Sequence, residues 1–257
     1  MIVLAIVGLV LIGPFFVAYG PYDIAGVPND PPSFTHLFGT DNFGHDLFSQ
    51  ITFGGASSLI VSLYSALGGT LLGFLAGLLA GYYGKLESPI AGATDVMMTF
   101  PGLPLLIVVA LIFLGNPQAV PLTLILFMWA PAARAARAQT TSAKKLAYID
   151  AAKCSGLSDF QIVFRIIMSE VAPIALAYFV LNLSLGIVLI TALQFLGGGN
   201  PLIVSWGSIL FWAQQSAFIY GDWWWIFAPG AIIALISIGF ALIGFSVEEL
   251  WNRRLRT

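Results

Sequence analysis

"ASSLIVSLYSALGGTLLGFLAGLLAGY", residues 56–82, runs for 27 positions without one charged side chain. A helix needs about 20 such residues to cross the hydrocarbon core of a bilayer, at roughly 1.5 Å of rise per residue. Apolar and polar residues do not alternate along it, so the pattern of a membrane β-barrel strand is absent. Ser65, Gly69, Gly73, Gly77 and Gly81 recur at every fourth position. That spacing gathers them on one helix face, and a face of small residues lets a second helix approach closely. The stretch therefore reads as a membrane span with one side reserved for packing.

The rest of the chain follows the same pattern. Of 257 residues, 59% are hydrophobic and 9% are charged, against about 25% charged in soluble globular proteins. Apolar runs broken by Gly, Pro and polar clusters predict helices at about 1–20, 56–82, 91–114, 119–138, 171–196 and 225–247. The expected fold is all-α and integral to the membrane, with about six transmembrane helices. Met1 to Tyr19 lacks a basic leader and a small-residue cleavage site, and reads as a retained span. Pro101 and Pro104 should kink or break the third helix, because proline has no N–H to donate and its ring crowds the preceding turn. The single cysteine, Cys154, excludes an internal disulfide.

Charge sets the expected orientation. Nine of the ten Lys and Arg residues fall in two segments, Arg134 to Arg165 and Arg253 to Arg256. The stretch Gly20 to Gly55 carries Asp23, Asp30, Asp41 and Asp46 with no Lys or Arg. By the positive-inside rule the basic segments are cytoplasmic and the acidic stretch faces outward. Six spans with both termini inside satisfy this alternation, and Trp223, Trp224 and Trp225 then fall at the outer interface. The net charge of -2 and the absence of a basic nucleic-acid footprint argue against a nucleic-acid partner.

Between the fourth and fifth spans lies a polar island, "YIDAAKCSGLSDFQIVFRI", residues 148–166. Lys144 to Cys154 is rich in Ala and Lys and suits a short helix. Gly156 stands where a left-handed C-terminal cap would fall. Ser158, with Gln161 three residues later, forms a capping-box pattern that starts a second helix. Small residues beside a charge on such a helix–turn–helix suit insertion into a groove of a soluble partner; a solvated inner loop is the alternative.

The island resembles the inner loop of permease subunits of binding-protein-dependent ATP-binding-cassette (ABC) importers. The family pattern is Glu-Ala-Ala, three residues, Gly, nine residues, then Ile-x-Leu-Pro. Here Asp150, Ala151 and Ala152 precede Gly156 at that spacing, and Ile166-Ile167-Met168-Ser169 close it. Asp replaces Glu, and Met and Ser replace Leu and Pro, with Pro173 nearby as a possible substitute stop. Further pieces resemble one branch, the second permease of dipeptide, oligopeptide and nickel importers. They are "FGTDNFGHDLFSQITFGGASSLIVSL" (38–63, with His45 in an Arg place), "FPGLPLL" (100–106), "SWGSIL" (205–210), "WWWIFAPGAII" (223–233) and "RRLR" (253–256).

The resemblance implies a type I ABC-importer permease core. It implies one membrane domain over about 56–250, preceded by a first span and outer loop (1–55) and followed by a cytoplasmic tail (251–257). The coupling loop would occupy about 139–170, with Asp150, Ala151, Ala152, Gly156 and Ser158 docking a cytoplasmic ATPase. The implied partners are a second homologous permease, two ATPase subunits and an extracytoplasmic substrate-binding protein, beside membrane lipid. The expected substrate is peptide-like, with oligosaccharides or nickel chelates as alternatives. The chain has no Gly-rich phosphate loop ending in Gly-Lys-Ser/Thr, so ATP and Mg belong to the partner ATPases and no cofactor or catalytic residue is expected on this chain.

Other readings carry less. Asp41, His45 and Asp46 are residue types that bind metals, but no metal is expected there, since the resemblance places them in a structural loop. An ion-coupled transporter or channel is the rival class; it would bury charges near the bilayer midplane, whereas Asp95, Glu170, Arg134 and Arg137 lie near predicted inner ends. Asn182, Ser184, Thr191 and Gln194 on the fifth span are candidates for a weakly polar pathway lining, or for bonds to neighbouring helices. Residues 197–222 are expected to hold a short helix at the outer surface.

Overall fold

The computed structural model describes residues 1–113, 116, 118–200 and 203–254, apart from the side chains of residues 2, 217, 218 and 250–254. The "RRLR" motif and the predicted tail fall outside the described side chains. The element order is α1 (Ile2–Ile12), α2 (Leu47–Tyr82), α3 (Gly84–Thr99), α4 (Gly102–Ile112), α5 (Ala119–Ala143), α6 (Ala147–Cys154), α7 (Asp159–Gln161), α8 (Met168–Phe195), α9 (Trp206–Tyr220) and α10 (Trp223–Arg254). Among the described residues there is no strand, only the isolated bridges Ile24–His45 and Thr40–Asp46.

Among the described residues, four helical stretches are long and apolar enough to cross a membrane: Leu47–Tyr82, Ala119–Ala143, Asp159–Phe195 and Trp223–Glu249. A fifth candidate is the pair α3 and α4, bent by 85°. The bend falls at Phe100 and Pro101, where Phe100 is extended (φ -74°, ψ 133°) because the residue before a proline is pushed out of the helical region. Pro104 lies inside the first turn of α4, where a missing N–H costs nothing. With the shorter apolar helix Val3–Phe15, the described residues supply six apolar segments, and the protein is all-α and integral to the membrane.

Several boundaries differ from the sequence reading, and α1 ends at Ile12, short of the expected residue 20. Helix α2 begins at Leu47, ahead of the expected residue 56, so part of the expected outer loop is helical. The third span divides into α3 and α4, and α3 starts at Gly84, ahead of residue 91. Pro173 does not stop the helix it lies in: α8 runs through it to Phe195. Upstream, α7 passes through a π segment, Ile162–Ile167, directly into α8, so the chain is one helix from Asp159 to Phe195.

The chain forms two compact units. The first comprises Met1–Leu63, Leu106–Val120 and Ser184–Phe240. Its core joins Ile6 and Val10 of α1, Leu47 and Ile51 of α2, Ile187, one face of α9 (Trp206, Ile209, Ala213), and Trp225, Ile232 and Ile236 of α10. Trp206 is fully buried and its indole N–H donates to the Ile51 carbonyl at 3.0 Å. Helix α9 is thus anchored in the core by one face. Trp225 is buried as well, at 1% exposure, whereas Trp223 is 60% exposed. Of the three indoles expected at an interface, Trp225 instead fills the core.

The loop of this unit is fixed by two buried carboxylates. Asp41 accepts from the backbone N–H groups of Phe43 (2.8 Å) and His45 (2.9 Å), from the His45 ring (2.8 Å) and from the Gln50 amide (2.9 Å). Asp46 accepts from the backbone N–H and the hydroxyl of Ser49 and pairs with the His36 ring at 3.0 Å. Hydrogen bonds to backbone and ring donors are what make a buried carboxylate tolerable. Among the described residues no cluster of three or more metal-ligating side chains occurs.

The second unit comprises Tyr64–Leu105, Pro121–Leu183 and Ala241–Thr257. In it, α5 lies directly on the glycine face of α2. A Cβ at Gly73 would stand 2.2 Å from the Trp129 carbonyl oxygen, at Gly77 2.3 Å from that of Ala133, and at Gly69 and Gly81 2.5 Å from the Cβ atoms of Met128 and Thr140. No side chain fits in those gaps. The contact brings the two backbones together, where dispersion between closely packed atoms holds them.

Candidate functional site

The polar island folds into a short helix held at three points. Helix α6 (Ala147–Cys154) buries Ile149 completely, in a cluster with Phe74 and Leu78 of α2, Ala136 and Ala143 of α5, and Ile162, Val163 and Ile167. Burial of a side chain that size stabilises by roughly 1.5–3 kcal/mol. Tyr148 donates its hydroxyl proton to the Glu170 carboxylate, and Lys144 donates to the Tyr82 carbonyl at 2.6 Å with its ammonium 5.1 Å from the Tyr82 ring. The Tyr82 hydroxyl donates to Asp159 Oδ1 at 2.5 Å. These contacts fasten the island to α2 and α8.

The turn after α6 is a complete Schellman motif. Leu157 N–H donates to the Ala152 carbonyl at 3.2 Å and Gly156 N–H to that of Lys153 at 3.0 Å. Gly156 takes φ +83°, which an L residue adopts only at a cost. Ser158 then caps α7: its hydroxyl accepts from Gln161 N–H at 3.3 Å while the Gln161 side chain accepts from Ser158 N–H at 2.9 Å. Two caps back to back leave the direction of the chain tightly specified between α6 and α7.

What α6 and its turn present is mostly small and polar, beside the exposed aromatic rings of Tyr148 and Phe160. Asp150, Ala151, Lys153, Cys154, Gly156 and Ser158 are exposed and Ala152 is half-buried. Nothing lies within 4 Å of where a Cβ would stand on Gly156. The expected coupling loop, 139–170, is therefore not a loop at its ends: its first residues belong to α5 and its last to the helix from Asp159.

The four polar residues of the fifth span make or line internal contacts. The buried Asn182 amide donates to Thr70 Oγ1 at 2.9 Å and to the Met128 carbonyl at 3.3 Å. The Ser184 hydroxyl donates to the Ser237 carbonyl at 2.7 Å, and Gln194 Oε1 accepts from Ser205 at 2.9 Å. Thr191 is 5% exposed beside an apolar hollow that also borders Ser237 and Gly230.

Residues 69–257 match the family model described as "Binding-protein-dependent transport system inner membrane component". The chain belongs to that family. Among this component's relatives, a Brucella suis biovar 1 protein named as a peptide transport system permease is 30% identical over 96% of this chain and 86% of its own length. The glutathione transport system permease protein GsiD of Pectobacterium atrosepticum is 32% identical over 89% of this chain and 76% of its own. The dipeptide transport system permease protein DppC of Alkalihalophilus pseudofirmus is 31% identical over 99% and 87%. A chain of the MetNI methionine ABC transporter, solved in inward-facing conformations, shares the fold at a TM-score of 0.59 and 17% identity, covering 79% of this chain and 95% of that one. The inner membrane component is thus a multi-pass protein with an ABC-permease fold.

Sequence reasoning missed the residues that hold the island in place. Ile149, Tyr82, Asp159, Tyr148 and Glu170 act through pairs separated by up to 77 positions. Only the placement of a lone Ile inside a polar helix hinted at an anchor.

Proposed function

We propose that this chain is the transmembrane permease subunit of an ATP-driven ABC importer, translocating a peptide-like substrate delivered by an extracytoplasmic binding protein. The observation that carries the proposal is the exposed, doubly capped α6 with its small surface of Asp150, Ala151, Ala152 and Gly156. A rigid protrusion of that kind fits a groove in a cytoplasmic ATPase, and a membrane-facing role would not need its polarity. Two ATPase subunits bind ATP and Mg and hydrolyse ATP, and a second homologous permease completes the pathway. Residues 56–250 form the translocating domain, and both termini and α6 are cytoplasmic. Permease relatives named for peptides, dipeptides and glutathione support the substrate class.

The test is reconstitution in proteoliposomes with the partner permease, the ATPases and the binding protein. Peptide uptake should require ATP, and should fail when bulky or opposite-charge residues replace the 150–152 set. Uptake driven by an ion gradient with the ATPases absent would overturn the proposal.

A further inference from the structure

The helix from Asp159 to Phe195 contains one wide turn, Ile162–Ile167, after which Met168 N–H reaches back to the Val163 carbonyl, five residues earlier. An α-helix spaces side chains at about 100° each, so residues five apart point about 140° away from one another. Ile162 and Ile167 are nevertheless both fully buried, in the cluster that holds Ile149. The wide turn is what brings both onto one face. Tightening it to α geometry would draw one of the two out of the core.

Two hydroxyl–carboxylate bonds bracket the turn. Ahead of it, Tyr82 at the end of α2 donates to Asp159 Oδ1 at 2.5 Å. Beyond it, Tyr148 on α6 donates to Glu170 Oε2. A change of register moves the residues on either side of the turn relative to each other, so both bonds cannot survive it with their tyrosines in place.

The two bonds are unequal. Tyr82 is 4% exposed, its carbonyl accepts from Lys144 at 2.6 Å, and the Tyr83 ring stands edge-on at 5.0 Å. Tyr148 is 44% exposed, so water competes for its hydroxyl and the net worth of its bond is smaller. Tyr148 also belongs to α6, beside the buried Ile149 and near the exposed Asp150. A body seated on the exposed side of α6 meets its ring.

We propose that the Tyr148–Glu170 bond is a catch on the wide turn: a partner seated on α6 draws the hydroxyl off Glu170 and frees Ile162–Ile167 to change register, while Tyr82–Asp159 stays closed. That the partner is the ATPase pair rests on the importer reading above; the bracketing bonds do not. Tyr148 and Glu170 are thus positioning residues, which act on the span through the turn.

The test is hydrogen–deuterium exchange of the full chain in nanodiscs, read by mass spectrometry. Tyr148→Phe keeps the ring and removes the hydroxyl; it should speed amide exchange at Ile162–Ile167 about fivefold, the worth of one hydrogen bond, with Asn182 unchanged. Glu170→Gln, whose side-chain carbonyl still accepts, should speed it less than Glu170→Leu. Tyr148→Phe and Glu170→Leu together should do no more than the larger single change, since both remove one bond. Unchanged exchange for Tyr148→Phe, or effects that add, overturns the proposal. The wild-type chain supplies an arm that stands if a substitution prevents folding: the purified ATPase pair should protect Ala147–Cys154 and speed exchange at Ile162–Ile167. Protection of α6 with no change at the turn overturns the catch and leaves the importer reading intact. No protection of α6 sinks the importer reading instead, and the variants, measured on the chain alone, still decide whether the bond holds the turn.

Discussion

Gly156 separates two reasons for needing a glycine. Its φ of +83° lies in the left-handed region, where a Cβ costs roughly 1–2 kcal/mol. No atom lies within 4 Å of that Cβ position, so within this chain the requirement is conformational and not steric. Gly156→Ala should therefore disfavour the Schellman turn by about 1–2 kcal/mol, a factor of about 5–30 in the population of the docking geometry. Asn tolerates the left-handed region better than Ala, so Gly156→Asn should lose less although its side chain is larger. The assay is the affinity of the nanodisc-embedded permease for its purified ATPase pair, with helix content checked by circular dichroism. Unchanged affinity for the Ala variant would refute the claim that docking needs this turn. An Asn variant weaker than Ala would show that the partner's surface, and not backbone conformation, demands glycine.

Three further outcomes are expected. Gly77→Leu should separate α2 from α5, since even a Cβ there meets the Ala133 carbonyl oxygen at 2.3 Å; thermal unfolding in detergent should report a loss of about 1–3 kcal/mol or more. Ile149→Ala should loosen α6 through the cavity it leaves, by about 2–5 kcal/mol, and faster hydrogen exchange at Ala147–Cys154 than at Asn182 would localise the effect. Asp222 is 2% exposed with Oδ2 unpartnered, and burial pushes its carboxyl above the usual carboxylate range. The folded state thus holds this proton more tightly than the unfolded one, so Asp222 lowers stability as pH rises from about 3.9 through the raised folded value. Asp222→Asn should raise the melting temperature at pH 7, with the gain vanishing below about pH 4; a variant less stable than wild type at pH 7 would contradict this.

Local signals in the sequence were readable where one element decides the outcome. The charge-free run of α2, the break at Phe100-Pro101 and the capping pair Ser158 and Gln161 each depend on residues within a turn or two. Continuity from Asp159 to Phe195 was not readable, because Pro173 looks like a stop. A proline inside a helix removes one N–H donor, here the one that would reach the Ser169 carbonyl, and a long apolar helix with packed neighbours survives that loss. The burial of Trp225 was also hidden. A run of three tryptophans at a helix end fits a headgroup belt, and only the packing of Ile51, Trp206 and Ile232 in the same core assigns one of them inward. The two tyrosine bonds that bracket the π segment join separated stretches, which no spacing rule brings together.

The helix from Asp159 to Phe195 covers 37 residues, about 55 Å at 1.5 Å per residue. Its backbone hydrogen bonding changes register at Ile162–Ile167 and lacks the donor of Pro173. On the importer reading, a push at the Ser158 cap would enter this helix directly and act on it as a lever. The π segment at Ile162–Ile167 adds a torsional element near the base of that lever: tightening it to α geometry would turn the tip about the rod's axis by about 100° per residue released. The stroke of such a device is set by its length and its gearing by one wide turn.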